Sequence, residues 1–240
     1  MARLAPCSYN LAMSELVPSH SLAVDPDLRL RAALVWARGL AGCTKTEEAP
    51  AYLRGLLERV RVAGESFLSP ELKAAVRGML RYGKYKPAGR SKPSSEYLLS
   101  AALEGDFPLV NSAVDANNAV SLEWGYPASV FDAAKTGAEL LLRRGEPGES
   151  YVFNPSGQII DLEDLVVVCC RAHDGEAWEP CGNPVKDAMA TKVFEDARDI
   201  VAVVYAPISE PRERLESCAS RYRELLVSEC MAEDAGFLCG

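Results

Sequence analysis

The chain has 240 residues, 48% hydrophobic and 25% charged, the balance of an ordinary globular protein. Its 34 acidic and 26 basic residues leave a net charge of −8, a sum that by itself argues against a nucleic-acid partner. The longest apolar run, LVVVCC at 165–170, is too short to cross a bilayer, and the first twenty residues lack the basic start and apolar stretch of a secretory leader. Eight cysteines are scattered without a framework, so reduced, buried thiols and a cytoplasmic location are expected.

Taken from the start, the first third reads as helical. Residues 28–40 (LRLRAALVWARGL) form an apolar-rich helical candidate. Thr44 and Glu47 have capping-box spacing, and Tyr52, Leu53, Leu56, Leu57 and Val60 then repeat at helical period. Ser69 followed by Pro70 predicts a helix start, with Leu72, Val76, Met79 and Leu80 on one face. YGKYKPAGRSKP (82–93) breaks the period and predicts a loop. A short helix opens at Pro93 and Ser94 and closes at Gly105. Strands are predicted at 140–143, 151–154, 158–162, 165–171 and 200–205, separated by turns such as GEPGE and NPSG. An amphipathic helix from about Pro211, with Leu215, Cys218, Tyr222, Leu225 and Leu226, ends the pattern. Helices, then strands, then a closing helix predict an α+β domain, a mixed sheet packed with helices. The expected division is a mostly helical N-terminal region over 1–84 and an α+β part over 85–240.

Several chemistries are missing. GLAGCTK (39–45) has the wrong spacing for a phosphate loop, and no dinucleotide fingerprint or G-x-S-x-G elbow occurs. His20 and His173 are the two histidines. Cys169, Cys170, His173 and Cys181 read CC-x2-H-x7-C, which matches none of the common structural zinc frameworks. Neighbouring residues on a strand also point to opposite faces, so both adjacent cysteines can hardly hold one ion. No metal, cofactor or thiol nucleophile is expected.

The charge is uneven. Residues 72–95 hold Lys73, Arg77, Arg81, Lys84, Lys86, Arg90 and Lys92, with Tyr82 and Tyr85 interleaved. A solvated helix running into a linker explains such a run. The aromatic interleaving also suits phosphate contact and base stacking, which makes Arg81, Lys84, Lys86, Arg90 and Lys92 candidate RNA-binding residues.

The stretch VNSAVDANNAVSLEWGYPASVFD (110–132) carries Asn111, Asp115, Asn117 and Asn118 in an otherwise apolar helical segment. Asn and Asp are poor helix formers. On one continuous helix, positions 111, 115 and 118 share a face. They either cap and bridge neighbouring loops or form the polar wall of a pocket. Glu149 follows a tight turn and points into a pocket or into solvent. Asn183, Asp187 and Thr191 sit in a loop that suits either function or plain turn chemistry.

AVDANNAVSLEWGYPASVFD resembles VVD-x-[TN]-N-x-V-x-LE-x-G-x-P-x-x-x-FD, the pattern of the editing module of the bacterial phenylalanyl-tRNA synthetase beta chain, its fused third and fourth domains. KPSSEYLLSAALEGDFPLVN upstream, with RRGEPGESY and NPVKDAMATKVFEDARDIVAVVYAP downstream, resembles its flanks, over about residues 85–210. The chain looks like a freestanding relative. The resemblance implies an α+β domain whose pocket takes the aminoacylated 3′ end of a tRNA and hydrolyses the ester of a wrongly attached amino acid. Asn117 and Asn118 fall on the pocket-lining pair, and Ser129 falls where many synthetases place histidine. Near Val203 the family has a glutamate that reads the tyrosine hydroxyl, and this chain has AVVY. Asn117, Asn118 and Ser129 are therefore expected to orient the ester and water by hydrogen bonding rather than to attack. A non-catalytic module for RNA or an amino acid is the second reading. An assembly partner docking through an apolar face on 50–63 is the third.

Overall fold

The computed structural model describes residues 20–172, 175 and 177–240. The N-terminal stretch expected to carry no leader, apart from His20, lies outside them, as does His173. In chain order the elements begin with β1 (Ser21–Val24), β2 (Leu30–Arg38), α1 (Ala51–Ala63), α2 (Pro70–Leu80), α3 (Ser94–Glu104) and α4 (Ser112–Trp124). There follow β3 (Ala128–Asp132), the single-turn α5 (Ala133–Thr136), β4 (Glu139–Arg144), β5 (Ser150–Val152) and β6 (Ile159–Asp161). The chain closes with β7 (Val166–Arg171), β8 (Trp178–Gly182), β9 (Ile200–Pro207), α6 (Arg212–Ser228) and β10 (Asp234–Cys239).

Two four-stranded sheets form, in the orders β1-β4-β7-β8 and β10-β2-β9-β3. The pair β1–β4 is parallel, and the other neighbours in both sheets are antiparallel. β5 and β6 make a separate hairpin. Helix α6 lies on β2 and β10, and α4 packs against α3, α6 and β3. The class is α+β, with mixed sheets packed with helices, as the pattern predicted.

The helix expected over 28–40 is corrected to a strand. Leu30, Ala32, Ala33, Leu34, Val35 and Ala37 are all buried, so β2 is covered on both faces. A strand of that kind reads as a continuous apolar run that periodicity cannot separate from a buried helix. Pairing with β9 over 30–37 and with β10 over 33–38 decides the matter, overriding the helical preference of Leu, Ala and Arg.

The capping box at Thr44 and Glu47 does not form. α1 starts behind Pro50, which provides no side-chain cap. Its apolar residues Leu53, Leu56 and Val60 are buried in the core, so that face is already covered within the chain, and the assembly reading loses its support. α2 starts as expected: the Ser69 hydroxyl accepts the Leu72 N–H at 3.2 Å. Ser69→Ala should lower stability by about 1 kcal/mol, read as a shift of the urea midpoint. An unchanged midpoint would mean that the cap contributes nothing.

Candidate functional site

The polar residues of α4 divide by where the helix begins. Asn111 is its N-cap, extended rather than helical, with Oδ1 accepting the Val114 N–H at 3.0 Å. Its Nδ2 donates to the Val193 carbonyl at 3.2 Å, which ties the loop between β8 and β9 to the helix. Asn111 and Asn118 both reach the same cavity, but the face expected for 111, 115 and 118 is incomplete, because Asp115 leaves it. Asp115 turns into the protein. It is fully buried, its Oδ1 accepts the Val110 N–H at 2.8 Å, and burial raises its carboxyl above the usual range. Val114, Asn117 and Asn118 are what α4 presents, beside its cap, to a cavity of about 560 Å³.

Asn117 is buried and fully engaged. Its Oδ1 accepts from the Tyr222 hydroxyl at 3.1 Å, and its Nδ2 donates to the Ala128 carbonyl at 3.4 Å and to Asn118 Oδ1 at 3.5 Å. The Asn118 side chain makes no other hydrogen bond among the described residues.

The opposite wall is the β8–β9 loop. Asn183 is buried. Its Oδ1 accepts the N–H groups of Val185 and Lys186 at 2.8 and 2.9 Å, and its Nδ2 donates to the Tyr151 hydroxyl at 2.6 Å. Turn chemistry therefore explains this residue even though it lines the cavity. Asp187 is half-buried, with Oδ1 enclosed and lacking a hydrogen-bond partner. Burial pushes its carboxyl up to about 7, against the Ser129 hydroxyl, the Val130 and Asn183 amides and the Lys192 charge. Gly182 makes room for it, since a Cβ there would lie 2.5 Å from Asp187 Oδ1 and from the Phe131 ring. Burial lowers the pKa of Lys192, and Asp187 opposes that shift.

Besides Asp115, three sequence candidates lie away from the cavity. Ser129 is sealed on β3, its hydroxyl donating to the Asn183 carbonyl at 3.2 Å and accepting from Tyr205 at 3.0 Å. It supports the loop from behind, and its register partner Val203 is wholly buried. Glu149 is held by Arg143 in two hydrogen bonds of 2.5 and 2.7 Å, which keep its carboxyl below the usual range. Thr191 donates to the Cys181 carbonyl at 3.0 Å. Cys170 and Cys181 interact across β7 and β8, burial pushes the Cys169 thiol up to about 12, and no metal-holding group occurs among the described residues.

A second cavity of about 510 Å³ is lined by Arg90, Lys92, Tyr97, Phe153, Lys186 and Lys192 among others. It shares Tyr97, Val185, Lys186, Asp187 and Lys192 with the first, so the two adjoin along these residues. Lys186 stands 4.3 Å above the Phe153 ring, and Lys92 5.9 Å above Tyr97. The basic stripe thus divides. Arg90 and Lys92 reach this cleft, Lys84 pairs with Glu163 and Asp161, and Arg81 and Lys86 are exposed and line neither cavity. Tyr85 is buried with its hydroxyl on the Ser91 carbonyl, and Arg144 covers Tyr82 at 4.5 Å. The aromatic groups at the cleft are instead Tyr97 and Phe153. Sequence reasoning missed these two and both loop lysines. The available signal was Lys186 and Lys192 flanking Asp187 in VKDAMATK.

Comparison with known proteins follows the same segment. The family profile described as the B3/4 domain matches residues 83–229. The phenylalanine–tRNA ligase beta subunit of Nocardia farcinica is 31% identical over 125 residues, covering 49% of this chain and 14% of that protein. The corresponding subunit of Corynebacterium glutamicum is 28% identical over 189 residues, covering 75% of this chain and 22% of that protein. The chain therefore spans less than a quarter of either relative. A solved N-terminal fragment of the phenylalanyl-tRNA synthetase beta-subunit from Pyrococcus horikoshii covers 91% of this chain and 51% of its own, with a TM-score of 0.48 and 10% identity.

Proposed function

The chain belongs to the B3/4 domain family, and from that premise we propose that it hydrolyses mischarged aminoacyl-tRNA in trans. The carrying observation is the adjacency of the two cavities: an asparagine-walled chamber adjoins, across shared lining residues, a cleft of cations and aromatic rings. The cleft suits a single-stranded RNA end, with cations on phosphates and rings against bases. The chamber suits the ester. Water adds to the ester carbonyl, the carbonyl–ribose oxygen bond breaks, and the proton from water passes to the ribose oxygen. The products are a free amino acid and the tRNA 3′ hydroxyl. The amide of Asn118 would stabilise the developing oxyanion, and position rather than a nucleophile supplies the rate.

A second reading has its own support. Among the described residues no imidazole lines the chamber, Ser129 is sealed, and His20 stacks on Trp36. A domain that binds the RNA end without turnover needs none of these groups.

Deacylation of tyrosyl, seryl, threonyl and alanyl tRNAs tests the proposal. One species should be released well above the buffer rate, with Asn118→Ala slower by about 100-fold. A flat panel with tRNA binding retained selects the binding module. Neither activity would overturn both readings.

A further inference from the structure

We infer that Tyr222 on α6 is a positioning residue, which turns the amide nitrogen of Asn118 toward the chamber and so makes Asn118 a donor to the ester carbonyl. The inference rests on the hydrolytic reading of the chamber. It follows from which atoms can donate and which can only accept.

The Ala128 carbonyl can only accept, so the Asn117 atom 3.4 Å from it must be the NH2 group. Asn117 Oδ1 then faces the Tyr222 hydroxyl, which must donate across the 3.1 Å between them. Burial raises the Tyr222 pKa well above the usual range and keeps that proton in place. The second hydrogen of the Asn117 NH2 is directed at Asn118, 3.5 Å away, which must offer its oxygen there. The remaining group of Asn118 is its NH2, and it is left to the chamber. Each amide is thus oriented by its predecessor, and the first donor in the chain lies on an element that does not line the chamber.

Without the Tyr222 hydroxyl, Asn117 Oδ1 is left buried without a donor and its amide is held by the 3.4 Å bond to the Ala128 carbonyl and the 3.5 Å contact to Asn118 alone, so both asparagine amides turn over more readily. A turned Asn118 would set a carbonyl oxygen against the substrate carbonyl, a repulsive contact. The cost falls on the reacting atom, so kcat suffers and KM does not.

The test is a cycle of Tyr222→Phe, Asn118→Ala and the double variant, on the best substrate of the panel. Tyr222→Phe should lower kcat about 10-fold with KM unchanged, and the double variant should be no slower than Asn118→Ala alone. Asn118→Asp, of the same shape but without the donor, should be as slow as Asn118→Ala. An equal loss from Tyr222→Phe in both backgrounds is what a merely structural role gives, and it overturns the inference. So does an active Asn118→Asp variant. If the wild type releases no amino acid, the hydrolytic reading fails by itself, and 15N side-chain amide spectra still decide the relay. The Asn118 NH2 pair, identified by its loss in Asn118→Ala, should shift in Tyr222→Phe; an unmoved pair rejects the relay.

Discussion

Between about pH 5 and pH 8 the wild-type protein should lose roughly 2–3 kcal/mol of stability that an Asp187→Asn variant keeps. Burial pushes the Asp187 carboxyl from 3.8 to about 7. A group whose folded pKa lies above its unfolded value contributes its full stability below the unfolded pKa. That contribution declines as pH rises and is gone above the folded pKa. The whole window corresponds to about 4 kcal/mol at 1.36 kcal/mol per unit, less some screening, because Asp187 is only half-buried as a residue. Lys192 opposes the shift from within the loop, and the nearby Tyr151, Tyr205 and Cys181 stay neutral across the range because burial raises each of them well above its ordinary value. Other carboxyls also titrate: Asp115 is raised and Glu149 lowered. The comparison with the variant cancels them. Urea midpoints measured against pH for both proteins give the answer, and parallel profiles would show that Asp187 is ionised throughout.

Gly145→Ala should destabilise the fold by about 3–4 kcal/mol, at the large end for one substitution. Gly145 follows β4 directly. A Cβ at this position would lie 2.0 Å from the Leu162 carbonyl oxygen and 2.7 Å from its carbon. Both are main-chain atoms that no rotamer change can move. The Gly145 N–H donates to the Leu165 carbonyl at 2.8 Å, and the Asp164 N–H to the Gly145 carbonyl at 3.1 Å. Relieving the clash therefore strains or breaks these bonds and loosens the entry into β7. Thermal unfolding of the variant reads the loss directly. A melting temperature like that of wild type would mean that the 145–165 crossing can open without cost.

Elements whose signals are local were legible. Ser69 with Pro70, Pro93 with Gly105, and the apolar stripe from Leu215 to Leu226 each describe a helix within a few residues. The strands β4, β7 and β9 were legible for the same reason, as runs of Val, Ile and Leu between turns. β2 was not, because its conformation depends on partners far along the chain. Lys186 and Lys192 are visible in the sequence. Their approach to Arg90, Lys92 and Tyr97 is not.

The polar pattern on α4 shows the same limit at the scale of a single turn. Residue types alone marked Asn111, Asn117 and Asn118 as out of place in a helix, and all three line the chamber. Counting along an unbroken helix also put Asp115 there, but its side chain is buried within the protein and accepts the Val110 N–H. Ser129 occupies a motif position, yet the β3–β9 register and the Asn183 carbonyl seal it. By itself the sequence determined the helices from residue 51 onward, the strand-rich second half, the family pattern and the residues able to make a polar wall. Only the tertiary structure decided which of those side chains keep a free hydrogen-bonding group. That depends on which donors and acceptors distant segments bring within about 3.5 Å, since a buried polar group takes whatever partner packing supplies.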